Sequence, residues 1–143
     1  MLTPGALALV VGGSLSALAA IAHLVCIAVG APAYRFMGAG EHMASAAEQG
    51  KLEPTLVTLA VSAVLAVWAL FAFSGAGVAP QLPLLRPVLL AITAIYLGRA
   101  FAFPLLRPLF PGNSTSFWVT SSGICFFIGA VHLFGIVTLW QIL

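Results

Sequence analysis

Four long apolar runs dominate the chain, at about residues 5–29, 55–73, 87–107 and 117–141. Each has the roughly 20 residues needed to cross a hydrocarbon core. Within each run the polar and small residues recur at helical spacing. The first has Gly12, Ser16, Ala19, Ala20, His23 and Gly30; the second has Thr55, Thr58, Ser62, Ala66 and Ala69. Thr93, Tyr96 and Arg99 lie near one face of the third, and Ser121, Ser122, Cys125, Gly129 and His132 mark the fourth. Small residues let membrane helices approach closely, and Ser, Thr and His can bond across the contact, so these stripes read as packing seams. A backbone in lipid must satisfy its own polar groups, so the runs are predicted to be helices.

Punctuation sets the edges. Thr3-Pro4 opens the first run, and Pro54 sits at the first turn of the second. "SGAGVAPQLP" is a turn before the third, and "RPLFPGNSTS" offers Asn113, Ser114 or Ser116 as N-caps for the fourth. Short connections make successive helices antiparallel neighbours. The expected fold is an all-α, integral membrane, up-down four-helix bundle in a single domain, with a short amphipathic helix between the first two spans.

Composition supports the bilayer as solvent. Of 143 residues, 62% are hydrophobic and only 6% charged. Soluble domains carry about a quarter charged residues. A net charge of +2, with no basic run, gives no footing for a nucleic-acid partner. The opening 30 residues have no positive n-region, and their apolar run is too long for a signal peptide, so a retained helix is expected.

The stretch "GAPAYRFMGAGEHMASAAEQGKLEP", residues 30–54, breaks the pattern. It holds five of the eight charged residues and every acid in the chain. Charge costs about 2.5–3.5 kcal/mol at a helix centre on insertion scales, so a connection outside hydrocarbon is where charge is expected to collect. Residues 34–49 read as an amphipathic interfacial helix, with Glu41, Ser45 and Glu48 on one face and Gly50 ending it. Tyr34 and Arg35 suit interfacial anchors. Arg35, Lys51 and Arg107 fall on one side of the bundle against Arg86 on the other. The positive-inside rule therefore places the 31–54 connection in the cytoplasm and both termini outside.

Candidate chemistry is sparse. Arg99, inside an apolar run, should face the bundle interior or snorkel to an interface, and Pro104 can break the helix beside it. His23 and His132 lie at depths about 10 Å apart, which argues against one metal or haem bridging them. Cys26 and Cys125 have no metal spacing and sit at similar depths, where they could be neighbours. No cofactor is implied. The sharpest expectation is one polar pocket formed by His23, Tyr96 and Arg99, with Glu41 and His42 on a covering segment and Arg99 pairing with Glu41 or an anionic head group. Apolar walls would suit a lipid tail or an isoprenoid quinone.

The runs "YRFMGAGEHMASAAEQG", "LVTLAVSAVLAVWALFAFSGAG" and "LPLLRPVLLAITAIYLGRAF" resemble a set of small, uncharacterised bacterial four-span inner-membrane proteins. The likeness covers most of the chain, with the "YRF-GAGE" run as its most recognisable part. It implies the bundle and a bacterial inner membrane, and it brings no catalytic residues. The general shape is similar to DoxX-like and emopamil-binding-type bundles by fold analogy.

Three function classes follow. The leading one is a non-enzymatic membrane protein that binds a lipidic small molecule or serves as an accessory subunit. The second is an intramembrane enzyme acting on a lipid or quinone, with Glu41 or His42 as base and Arg99 stabilising an oxyanion. The third is a small transporter or channel, which would need assembly into a homo-oligomer. No nucleophile motif, phosphate loop or metal cluster supports catalysis, so no catalytic residue is assigned.

Overall fold

In a computed structural model covering residues 1–143, the chain is all helical. The helices are α1 Pro4–Val29, α2 Ala31–Phe36, α3 Glu41–Glu48, α4 Glu53–Gly75, α5 Leu85–Phe101, α6 Phe103–Leu106 and α7 Thr115–Leu139, with a 3₁₀ turn at Arg107–Leu109. Three of them, α1, α4 and α7, are long and apolar enough to cross a membrane. A fourth crossing arises if α5 and the 103–109 segment, bent by 62° from each other, count as one span.

Local chemistry explains the boundaries. The Thr3 hydroxyl caps α1 by accepting from Ala6 N–H at 3.2 Å, and Ser114 caps α7 by accepting from Phe117 N–H at 3.0 Å. Four helices are followed by a glycine with positive φ, and beyond Gly30 after α1 these are Gly38 after α2, Gly50 after α3 and Gly77 after α4. Each of these last three forms the paired hydrogen bonds of a Schellman motif; after α3, Gly50 N–H donates to Ala47 C=O and Lys51 N–H to Ala46 C=O, both at 3.0 Å.

Two boundaries differ from the sequence reading. The third run does not continue to 107, because α5 stops at Phe101 and Pro104 sits in the first turn of the bent segment that follows. At about 1.5 Å per residue, the 17 residues of α5 cover about 25 Å, a little short of the hydrocarbon thickness. Residues 34–49 are not one helix either: Gly38 and Gly40, at φ 73 and 91, divide them into the end of α2 and all of α3.

Helix α1 is central, packing against α4 on one side and α7 on the other, while α5 packs mainly on α7. The seams are built from small residues. Thr58, Ser62, Leu65, Ala69 and Ala72 form the buried stripe of α4, while Ala66, expected there, faces outward. Ser62 donates to the Ala20 carbonyl at 2.9 Å, tying α4 to α1. Across the α1–α7 contact, Gly12 lies against the His132 ring and Gly135 against Leu9. Large apolar side chains such as Leu18, Leu59, Leu70, Phe127 and Val137 remain exposed around the outside.

Candidate functional site

Helices α1 and α7 touch closely through their Gly12–His132 and Leu9–Gly135 contacts. They part beyond Leu15 and Ile128, leaving a lateral cleft of about 880 Å³. Its apolar walls come from Leu15, Leu18, Ala19, Ala22, Ile124, Cys125 and Ile128. Its mouth is polar: Arg35, Asn113, Ser114, Ser116, Thr120, Ser121 and His23 stand there, with Phe36, Met37 and Phe117 beside them. From Ile128 to Ser114 along α7 is fourteen residues, or about 21 Å. The cleft therefore reaches from the end of the helices to near their middle.

The mouth is built by the two polar connections meeting. Asn113 Nδ2 donates to the Gly38 carbonyl at 3.0 Å, and a side chain at Gly38 would collide with the Phe117 ring. Behind it, Arg35 links α2 to α3. Its Nε and Nη2 donate to the Glu41 carboxylate, and Nη1 donates to Glu48 Oε1 at 2.7 Å. Ser45 donates to Glu41 at 3.1 Å. Arg35, followed by Ser45, holds the Glu41 carboxyl below the usual carboxylate range, and the two carboxylates raise Arg35 further above its already high value.

The sequence-expected residues divide among three places. His23 and Arg35 are at the cleft; His23 Nδ1 donates to the Ala19 carbonyl at 2.7 Å. Tyr96 is elsewhere, buried in the bundle centre, where its hydroxyl meets Ser16 Oγ at 2.8 Å and its ring lies against Trp68 and His132 at centroid distances of 5.2 and 5.8 Å. Arg99 does not pair with Glu41, which Arg35 occupies. It donates from Nη2 to Ser121 Oγ at 3.1 Å and stacks over Trp118, its Cζ 5.1 Å from the ring centroid. His42 is exposed on α3 and does not line the cleft. From the 34–49 segment, Arg35, Phe36 and Met37 line the cleft, and Glu41 and His42 do not.

Tyr34 also departs from its expected role. It is 3% exposed, packs with Cys26, Ala31 and Ala44, and accepts from Thr58 Oγ1 at 3.3 Å. It fastens α2 inward instead of facing an interface. Cys26 belongs to that small cluster while Cys125 packs on the main core, so the two thiols are free and apart. No three His, Cys, Asp or Glu side chains converge on a metal-sized point. Glu41 is held by Arg35, His42 is exposed, and Arg99 sits against Ser121 and Trp118, so the three share no partner.

Sequence reasoning did not single out Trp118, and it named Asn113 and Ser114 only as N-cap candidates, not as residues lining a cleft. Trp118 is one of the largest fully buried side chains. The "NSTSFW" run carried a signal for all three, as a cap followed one turn later by an aromatic residue. No protein-family model, curated protein or solved structure matches this chain.

Proposed function

We propose that this chain is an integral membrane protein of the bacterial inner membrane that binds one lipidic chain, without catalysis, in the cleft between α1 and α7. The cleft carries the reading: it is apolar in its depth, polar at its mouth and open sideways between two helices. A ligand with an alkyl or isoprenoid tail matches that gradient. The tail would lie along Leu15, Ala19, Ile124 and Ile128, and the polar end would meet His23, Ser121 and Asn113. The exposed Leu, Val and Phe residues supply the outer surface for lipid. The bundle runs up-down, with the Arg35-bearing connection cytoplasmic and both termini outside, as the excess of Arg and Lys at that end favours.

Native mass spectrometry of protein released into a mild detergent, followed by extraction, tests the reading. One retained lipid or quinone per chain is expected, lost in Ala22→Trp, where the half-buried alanine of the cleft wall gives way to an indole. Wild-type protein without a retained chain-bearing molecule, or equal retention in Ala22→Trp, would refute it.

A further inference from the structure

Behind the cleft wall, where Trp118 and Ser122 come next in sequence to the lining residues Phe117 and Ser121, lies a group of donors that the protein itself leaves without acceptors. Arg99 Nη1, Trp118 Nε1 and Ser122 Oγ are all buried and have no hydrogen-bond partner. Trp118 is 2% exposed. Trp118 and Ser122 are four residues apart on α7 and so share one face. Arg99 lies directly over the Trp118 ring. Buried polar groups are ordinarily paired, and the neighbouring helices show how. Ser16 on α1 and Thr93 on α5 each donate to the carbonyl four residues back, whereas Ser122 does not.

The chemistry of this set is one-sided. An arginine Nη and an indole Nε1 can only donate, and the serine hydroxyl can do so. The guanidinium charge has no counterion within the chain. The acids number three, and the two that form ion pairs, Glu41 and Glu48, both hold Arg35. The Arg86–Trp140 stack at the opposite end also has a buried unpaired arginine atom, Arg86 Nε, but its tryptophan is 42% exposed and its indole N–H is not a buried orphan. Arg99 does not itself line the cleft, but Ser121, whose hydroxyl accepts from it, is one of the lining residues.

We infer that Arg99, Trp118 and Ser122 form the head-group site of the cleft, and that its ligand is an amphiphile with an anionic oxygen group, a carboxylate or a phosphate, at the end of an alkyl chain. This rests on the cleft holding a lipidic chain and adds which class. Such a group brings several lone pairs and a negative charge to a place that has unmet donors and an unmet positive charge. Rotation of the Ser121 hydroxyl toward the ligand would join the cleft to the Arg99 side. The Arg35 cluster, already holding two carboxylates, is unsuited to the same task.

The test uses purified full-length protein in neutral detergent and four probes: a fluorescent long-chain fatty acid, the methyl ester of that acid, an alkyl phosphate of similar length, and inorganic phosphate as competitor. Charge-assisted hydrogen bonds are worth about 1.5–3 kcal/mol, so a preference of about 10- to 100-fold for the acid over its ester is expected. Arg99→Gln should abolish that preference, while Arg99→Lys retains part of it. Trp118→Phe keeps the ring and should weaken acid binding a few-fold only. In a Trp68→Phe/Trp140→Phe background, the acid but not the ester should shift Trp118 emission. Tighter alkyl phosphate than fatty acid would mark the head as a phosphate. Displacement by inorganic phosphate alone would mark the anion as a free one and overturn the amphiphile assignment. Equal binding of acid and ester by wild type, blocked by Ala22→Trp, would overturn the head-group site and leave the cleft standing. Binding of neither probe would overturn both.

Discussion

Replacing Gly12 with alanine puts the α1–α7 contact to a quantitative test. A methyl group there would approach the His132 ring at 2.5 Å from Cε1 and 2.6 Å from Nδ1, well inside any real carbon contact. The ring has little freedom to yield. It is completely buried, and its Nδ1 donates to the Ile128 carbonyl at 2.8 Å. Overpacking of a well-filled interior costs about 1–3 kcal/mol. Displacing the ring also loses its bond to the Ile128 carbonyl one turn back on α7, worth about 0.5–1.5 kcal/mol. Against these stands the helix preference of alanine over glycine, about 0.8–1.0 kcal/mol. Gly12→Ala should therefore be less stable by about 1–3 kcal/mol, the clash outweighing propensity. Gly98 and Gly123 are controls, because no atom lies within 4 Å of a methyl group at either. Their alanine variants should be neutral or slightly more stable. Reversible unfolding in mixed micelles of increasing SDS fraction measures all three. Combining Gly12→Ala with His132→Ala should recover at least about 1 kcal/mol relative to the sum of the single changes, since neighbours in contact are not additive. A Gly12→Ala protein as stable as Gly123→Ala would refute the close contact.

Further outcomes follow from single contacts. Ser62→Ala should cost about 0.6 kcal/mol, and no more than about 1.7, by losing its bond to the Ala20 carbonyl, measured by the same unfolding assay. Ser114→Ala should cost about 1 kcal/mol by uncapping α7, with faster amide exchange confined to the first turn. Glu41, held below its ordinary value of 4.5 by Arg35, stabilises the α2–α3 link in its ionised form. That contribution is complete above the ordinary value and is lost as pH falls through the lower folded one. A nitroxide pair at the exposed Pro32 and His42 should therefore keep a fixed separation from neutral pH down to 4.5 and spread only below it; spreading above 4.5 would contradict the pairing. Gly38→Ala should loosen α2, since φ 73 disfavours a side chain and Phe117 occupies the space.

The architecture was legible where composition and spacing leave one physical solution. Runs of apolar residues with Thr3-Pro4 and Ser114 at their starts define α1 and α7, and the Gly50 stop of α3 follows from its need for positive φ. The break after Phe101 was half legible: Pro104 marks it, but the direction of the bent segment depends on tertiary packing. The site was less legible because side-chain pairing is non-local. Glu41 could meet either Arg35 or Arg99 on sequence grounds. Gly38 and Gly40, at positive φ between the two helices, turn α2 and α3 back on each other and give the carboxylate to Arg35. Tyr96 meets Ser16, about two turns along α1 from His23, and so sits in the bundle centre while His23 reaches the cleft. Trp118 was overlooked because a tryptophan in an apolar run looks like any other core residue until its N–H is seen to lack an acceptor.

Photolabelling tests the central claim most directly. A fatty acid carrying a diazirine midway along its chain would be added to the protein in lipid nanodiscs, irradiated and located by peptide mass spectrometry. The cleft as a chain-binding site requires labelling concentrated on Leu15, Leu18, Ala22, Ile124 and Ile128, saturable by unlabelled acid and absent in Ala22→Trp. Unsaturable labelling spread over the outward residues of α4 and α7, such as Leu59, Leu70 and Phe127, would contradict it, since it would mean that lipid meets only the outside of the bundle.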